Sequence, residues 1–548
     1  MAAKQACTLF FLRHESTSDP PGNGQLNAEA RAHVSRQARL KSARPGHLKF
    51  ISYFPDTMQH RTDSSPAAEP NENHKKEHRA STTANNGRRC TGAATSGHIT
   101  SCAVKSMGWD PFDSFAVSKP KWNEWFMLHY VFTTTIPPFG ESESGRRDFA
   151  QSWMWRTMEC PATFYAQVLG ASTHYVISCP TSHVRNRIIT TGLQCKVQAI
   201  KSLRSLIAEF SEAINESILL AIFVLAIHGS FDLSDRPEPH PLSPLATYRD
   251  YHIYGRMNFG NEHINALYYL IERKGGISNI DQHAFGYVLP IFDLVYCARV
   301  EAAPSFPCPR QLKSIIEGGQ WTPDIEANEM LITLGKGLPP SPDAWWPSCL
   351  ERKMINILQV MMEITAALDH YCRGGPGAPT SLDALANNCD WVSHTLLSTP
   401  SYLKPSDKSN LDLQLSLDIT TTLREICRLC ALLYLDMVIL PSPSHTGIKL
   451  RNSTRLLRLI EAMQWGEHAG DPCVLEFLTW ATVLGAIAAR FTQLQVLYSD
   501  HIERISRDTS WGALYPRLKR YLWFRPVCDS PALRIWFESG TTDVSLYT

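Results

Sequence analysis

The sequence has almost no excess of charge of either sign: 53 Lys and Arg stand against 52 Asp and Glu in 548 residues, a formal net charge of +1. A chain so balanced has no global field drawing it to nucleic acid or to an acidic membrane surface. Long apolar runs are missing too. The longest, Ile218 to Ile227, has ten residues, about half of what a bilayer crossing requires. It reads as a buried helix, and the apolar stretch Leu9 to Leu12 is too short for the core of a signal peptide. These shortages lead us to expect a soluble protein. Regular cysteine spacing is also absent. Fifteen cysteines are scattered from Cys7 to Cys528, which points to reduced thiols in a nuclear or cytoplasmic protein and away from a disulfide framework. What is plentiful is apolar material. With 44% hydrophobic, 10% aromatic and 19% charged residues, the chain can build a large core, and wholesale disorder is excluded.

The balance hides an asymmetry. Residues 1–107 carry 15 Lys and Arg against 8 Asp and Glu, so a basic arm precedes a mildly acidic body. Residues 1–54 read as a short N-terminal segment with a strand at Leu9 to Leu12 and a basic helix. Residues 55–107, rich in Pro, Ser, Thr, Asn and Gly and poor in aliphatics, read as a disordered linker. From 108 to 548 the periodicity is helical. Val197, Ile200, Leu203, Leu206, Ile207, Phe210 and Ile214 step by three and four and predict one apolar helix face. Ser217 to His228 reads as a second, buried helix. His263 to Lys274 is amphipathic and is stopped by Gly275 and Gly276, which can take the positive φ of a helix C-terminus. Further helices are expected over Ser348 to His370, Leu415 to Leu440, Leu450 to Gln464, Val474 to Arg490 and Leu514 to Trp523, with Pro and Gly clusters between them. No segment beyond Leu9 to Leu12 alternates with period two, and no fixed repeat is present. The expected fold class is all-α, a large irregular helical array or bundle.

Few residues nominate chemistry. Arg13-His14-Glu15, after an apolar run, is similar to the opening of a histidine phosphatase with His14 as nucleophile. Glu15, however, stands where that family has Gly, and the strand and helix alternation of such an enzyme is lacking. Cys427 and Cys430 form a C-x-x-C inside an apolar helix with no second pair beside it, and read as core residues and not as zinc ligands. His60, His74, His78 and His98 have no cysteine or carboxylate at metal spacing. No G-x-S-x-G or other nucleophile signature occurs in the body, and Gly275-Gly276 follows a helix and lacks the other features of a phosphate loop. No cofactor and no metal ligand is therefore expected, and the protein is read as a non-enzyme. The remaining candidates are basic: Arg31, His33, Arg36, Arg39, Lys41 and Arg44, spaced so that the arginines share a helix face. They suit weak, salt-dependent phosphate contact or a nuclear-import signal.

Read in order, these segments resemble the fungal-specific transcription factor domain of zinc-cluster regulators. Leu9-Phe10-Phe11-Leu12 followed by Arg31-Ala32-His33-Val34 is similar to the opening of one subgroup, and Asp110-Pro111-Phe112-Asp113-Ser114 to the phrase that begins its helical body. His263 to Ile280 resembles a third segment, with Ala266 in place of the usual Gly. Leu478-Thr479-Trp480, Leu484 to Ala488, Ser510-Trp511, Leu522-Trp523, Cys528-Asp529 and Trp536 resemble the closing helices. The likeness covers about residues 8 to 540. It implies a helical regulatory domain in the nucleus, acting through other regulatory proteins or a small-molecule effector, as a monomer or a homo-oligomer and without a membrane. The six-cysteine zinc cluster that reads DNA in that family has no counterpart here. The expected function is thus regulation by partner or effector binding. The alternatives are the phosphatase reading and an inert scaffold or a truncated gene model of a complete regulator.

Overall fold

The computed structural model describes residues 115–117, 120–136, 143–179, 183–209, 215–231, 242–281, 285–308, 314–337, 350–403, 418–443, 446–464 and 471–539. The basic candidates Arg31, His33, Arg36, Arg39, Lys41 and Arg44, the motif around His14, the strand at Leu9 and the linker over 55–107 all lie outside the described residues.

The chain divides into two units, Met1–His129 and Tyr130–Thr548. The division falls one residue before the end of helix α1, Trp122–Tyr130, on which Trp122 stacks against Phe126 and Trp125 meets Phe115 edge to face. Among the described residues the second unit is helical apart from one short antiparallel ladder, in which Ser230–Phe231 (β1) pairs with Met257–Asn258 (β2).

The second unit begins with helices α2 (Glu143–Glu159), α3 (Pro161–Ser178), α4 (Arg185–Glu209) and α5 (Glu216–Ile227). Pro161 starts α3 at a position whose N–H has no helical partner in any case. Asn215 caps α5, its side chain accepting from Ser217 N at 2.8 Å. Both α3 and α5 are buried nearly all round, as a helix apolar on every face must be. Small residues let α4 lie close on α3: a Cβ on Gly192 would stand 2.9 Å from Ser172 Cβ. That close approach corrects the expected apolar face of α4. The buried stripe is Ile188, Gly192, Cys195, Ala199 and Leu203, whereas Val197 and Ile207 are 52% and 54% exposed. Side-chain size misled the pattern, because the packed face carries the small residues.

Two 3-10 turns, Pro244–Ala246 and Tyr248–Asp250, lead into α6 (Tyr251–Tyr254), and α7 (Asn261–Arg273) and α8 (Val288–Val300) follow. Gly275 and Gly276, at φ 91° and 94°, end α7 as the sequence indicated. The C-terminal half comprises α9 (Ile325–Leu334), α10 (Arg352–Arg373), α11 (Asp383–Leu397), α12 (Ile419–Tyr434), α13 (Ile448–Gln464), α14 (Pro472–Ala488), α15 (Leu494–Asp508), α16 (Trp511–Leu518) and α17 (Arg525–Glu538). Asp324, Asp418 and Asp471 cap α9, α12 and α14 by accepting from backbone N–H groups in the first turn. Gly485 of α14 makes room for Tyr498 of α15, whose hydroxyl donates to Ser453 O at 2.8 Å.

Near the C-terminus the helix expected over Leu514 to Trp523 is shorter, and a further helix is added. After Leu518 the chain leaves the helix, and Tyr521 to Phe524 are all buried, which one face of an amphipathic helix cannot achieve. Trp523 Nε1 donates to Asp529 Oδ1 at 2.7 Å, and Pro526 then opens α17. Among the described residues no helix is long and apolar enough to cross a membrane.

Candidate functional site

The loops over 243–257 and helix α8 meet the C-terminal helices along a polar contact. Arg249 and Asp250 are consecutive residues with left-handed φ of 53° and 55°, and their side chains serve different partners. Arg249 donates to Asp390 Oδ1 at 2.9 Å and to the Tyr287 hydroxyl at 2.6 Å. Asp250 accepts from His174 at 3.3 Å, and Tyr130 lies 2.8 Å from the other ring nitrogen. Tyr130, His174 and Asp250 form a hydroxyl, imidazole and carboxylate chain, with Ser178 Oγ a further 3.3 Å from His174 Nδ1. Tyr130 already holds that nitrogen at the shorter distance, and burial raises the Tyr130 pKa. The chain therefore joins elements, and Ser178 is not activated by it.

Further along the same contact the helices part around a cleft of about 320 Å³. Its walls come from the end of α8 and the residues after it (Ala298 to Ala303), the segment after α11 (Leu397 to Ser401), α12 with its extension, and α13. Helix α12 continues as a π-helical turn, Leu435–Ile439, closed by Leu440 N donating to Leu435 O at 2.7 Å. One extra residue in that turn changes which side chains follow the stripe set by Arg428 and Leu432, so that Leu435, Asp436 and Leu440 all reach the cleft.

Three charged groups shape the walls. Arg428, 8% exposed, sends Nε and Nη2 to Glu425 at 3.0 and 2.6 Å. Glu425 also accepts from Ser401 Oγ and Tyr402 N, so its oxygens are fully engaged. Asp436 is paired with Lys449 at 2.9 Å, yet neither of its oxygens receives a well-directed hydrogen bond, because the ammonium donates to Ser442 O. Burial pushes the Asp436 carboxyl above the ordinary carboxylate range, with Lys449 and then Arg299 pulling it back. Arg299, held by the carbonyls of Tyr254, Gly255 and Met257, is itself lowered by burial to about 10. On the rim Glu301, in the left-handed conformation at φ 57°, bridges Arg451 and Arg455. A non-glycine residue held there costs free energy that its neighbours must offset.

Asn452 of α13 differs from all of these. It lines the cleft and is 4% exposed, and its polar atoms are not among the buried ones left without a partner. An amide on a cleft wall offers a donor and an acceptor to a ligand or an ordered water.

Of the sequence candidates, Cys427 and Cys430 lie in the core on α12, 1% and 0% exposed. Burial holds the Cys430 thiol well above its usual pKa, which makes it a poor nucleophile. Of the tryptophans, Trp153 is buried and Trp122 is 46% exposed. The cleft residues carry no motif. Their one sequence signal was the placement of Arg428 and Asp436 inside the otherwise apolar run from Ile426 to Leu440, since charges at buried helix positions are rare unless paired. No family model, no curated protein and no solved structure matches this chain.

Proposed function

We propose that the protein is a non-enzymatic regulator whose helical body binds a small effector in the cleft between α8, α11, α12 and α13. The observation that carries this reading is the cleft of about 320 Å³ with the side chains of Arg428 and Asn452, each under 9% exposed, on its wall, a size suited to a small molecule. Tightly held ion pairs orient the walls, and no activated nucleophile stands in them. The resemblance to the helical domain of fungal zinc-cluster regulators supplies the context of transcription regulation in the nucleus. There the basic arm from Arg31 to Arg44 serves for import or weak phosphate contact, and other regulatory proteins are the natural partners.

The test is a thermal-shift screen of the purified full chain against small metabolites, with Leu432→Trp as the filled-cleft control. A ligand that binds only the folded state stabilises it in a saturable way, and Leu432→Trp is expected to abolish that shift. Ligands that shift both proteins equally would overturn the reading. The arm is tested by binding to random duplex DNA across a salt series. Replacing Arg31, Arg36, Arg39 and Arg44 by Ala is expected to flatten the slope, and an unchanged slope would remove the phosphate role.

A further inference from the structure

We infer that the cleft is built for an amphipathic monoanion, a carboxylate on an aliphatic or aryl body of modest length. This rests on the reading of the cleft as an effector site and names the chemistry it selects.

Arg428 is held with one edge only. A guanidinium presents five N–H groups in a rigid fork, and Glu425 takes Nε and Nη2, leaving Nη1 with no partner among the described residues. Since Glu425 is saturated by Ser401, Tyr402 and Arg428 together, it fixes the guanidinium without needing the free end. That end, on a residue 8% exposed and lining the cleft, fits a carboxylate approaching end-on. The Asn452 amide on the same cleft supplies one more donor.

Charge sets the ligand's valence. Around the walls Arg428 pairs with Glu425, Lys449 with Asp436, and Arg451 and Arg455 share Glu301. The lining itself carries two cations, Arg428 and Arg455, and two carboxylates, Glu301 and Asp436, so the open end of Arg428 is the place for one anionic group. A second carboxylate on the ligand would meet Asp436 or Glu301. The rest of the lining, including Leu432, Leu435, Leu440 and Ile448, offers apolar surface for the body of the molecule.

The test is calorimetric titration of the full chain with octanoate, with octanamide as its neutral counterpart, and with suberate, which adds a second carboxylate. Octanoate is expected to bind at least about tenfold tighter than either, the order expected of a charge-assisted hydrogen bond. Arg428→Met would strip Glu425 of its cation and destabilise the fold, so Arg428→Lys and Asn452→Leu are the informative variants. Each is expected to weaken octanoate by about tenfold and to leave octanamide nearly unchanged, while Leu432→Trp abolishes binding of both. If octanamide binds as tightly as octanoate and Leu432→Trp removes both, the effector cleft stands and the anion selectivity is wrong. If octanoate binding survives Leu432→Trp, this experiment counts against both. If octanoate does not bind at millimolar concentration, the inference fails, and the metabolite screen alone decides the cleft.

Discussion

Arg249 and Arg428 are both buried arginines on the contact between the helical halves, yet their surroundings differ. Arg249 uses Nη1 and Nη2 on Asp390 and Tyr287, and the rings of Tyr248 and Tyr287 each lie 5.0 Å from its carbon. The gap beside it, lined by Tyr287, Asp390 and His394, is about 40 Å³. Arg428 is nearly as buried but is bonded along one edge, and the space beside it is about 320 Å³. An arginine whose two terminal nitrogens are both engaged, with only Nε left over and no room beside it, reports on assembly of the fold. One held rigidly on one side and left open on the other reports a site.

The comparison breaks most sharply at Arg249. Arg249→Met leaves Asp390 buried without its cation and is expected to cost about 3–5 kcal/mol in denaturant unfolding. A loss below about 1 kcal/mol would mean that Arg249 is not the structural member of the pair. Adding Asp390→Leu should recover much of the loss, because it removes the stranded charge.

His228 sharpens the contrast from the N-terminal half, where a buried base is kept neutral. Burial lowers its pKa to about 4, with the Val224 carbonyl opposing at 2.8 Å and His174 and Lys196 adding to the fall. The unfolded chain takes up this proton near 6.5 and the folded chain only near 4. Stability from this group is therefore complete above 6.5 and is lost as pH falls from 6.5 to 4, by about 3 kcal/mol at most. His228→Gln should flatten that window in unfolding measured against pH, and an unchanged slope would refute the assignment.

Smaller effects are expected at the cleft itself. Asn452→Leu removes an amide that opens on the cleft, so its effect on stability should stay within about 1 kcal/mol even though ligand binding falls. A loss of several kcal/mol would show the amide to be structural after all. Glu301→Gly relieves the left-handed strain, worth about 1 kcal/mol, while giving up partly exposed ion pairs worth about 0–1 kcal/mol each. The two changes should nearly cancel in chemical denaturation.

The sequence displayed the fold better than the site, for physical reasons. The apolar run of α5, the glycine stop after α7 and the long stripes of α10, α12 and α14 are local signals that tertiary packing did not need to override. The packed face of α4 was misjudged because Gly192, Cys195 and Ala199 contribute closeness and not bulk. α17 entered the sequence reading only through the resemblance of Cys528-Asp529 and Trp536 to closing helices, and its start is set by Pro526 in the first turn. The cleft was illegible as a whole. Its walls come from four separate stretches between Ala298 and Arg455, and a void is a property of how helices fail to meet. The helix around Cys427 and Cys430 read as apolar throughout, so the charges of Arg428 and Asp436, the one signal of the cleft, went unused.

The wide turn at Leu435–Ile439 has a consequence for how such a wall can change. A residue's facing after the turn depends on how many residues precede it, and each residue of a regular helix advances the facing by about 100°. Deleting one residue there would restore the ordinary winding while swinging Asp436 or Leu440 away from the cleft, with the core stripe before it untouched. Substitutions in the turn should therefore be tolerated more readily than a change in its length. In this wall the arithmetic of the chain, more than the chemistry of any one side chain, decides what a visiting molecule meets.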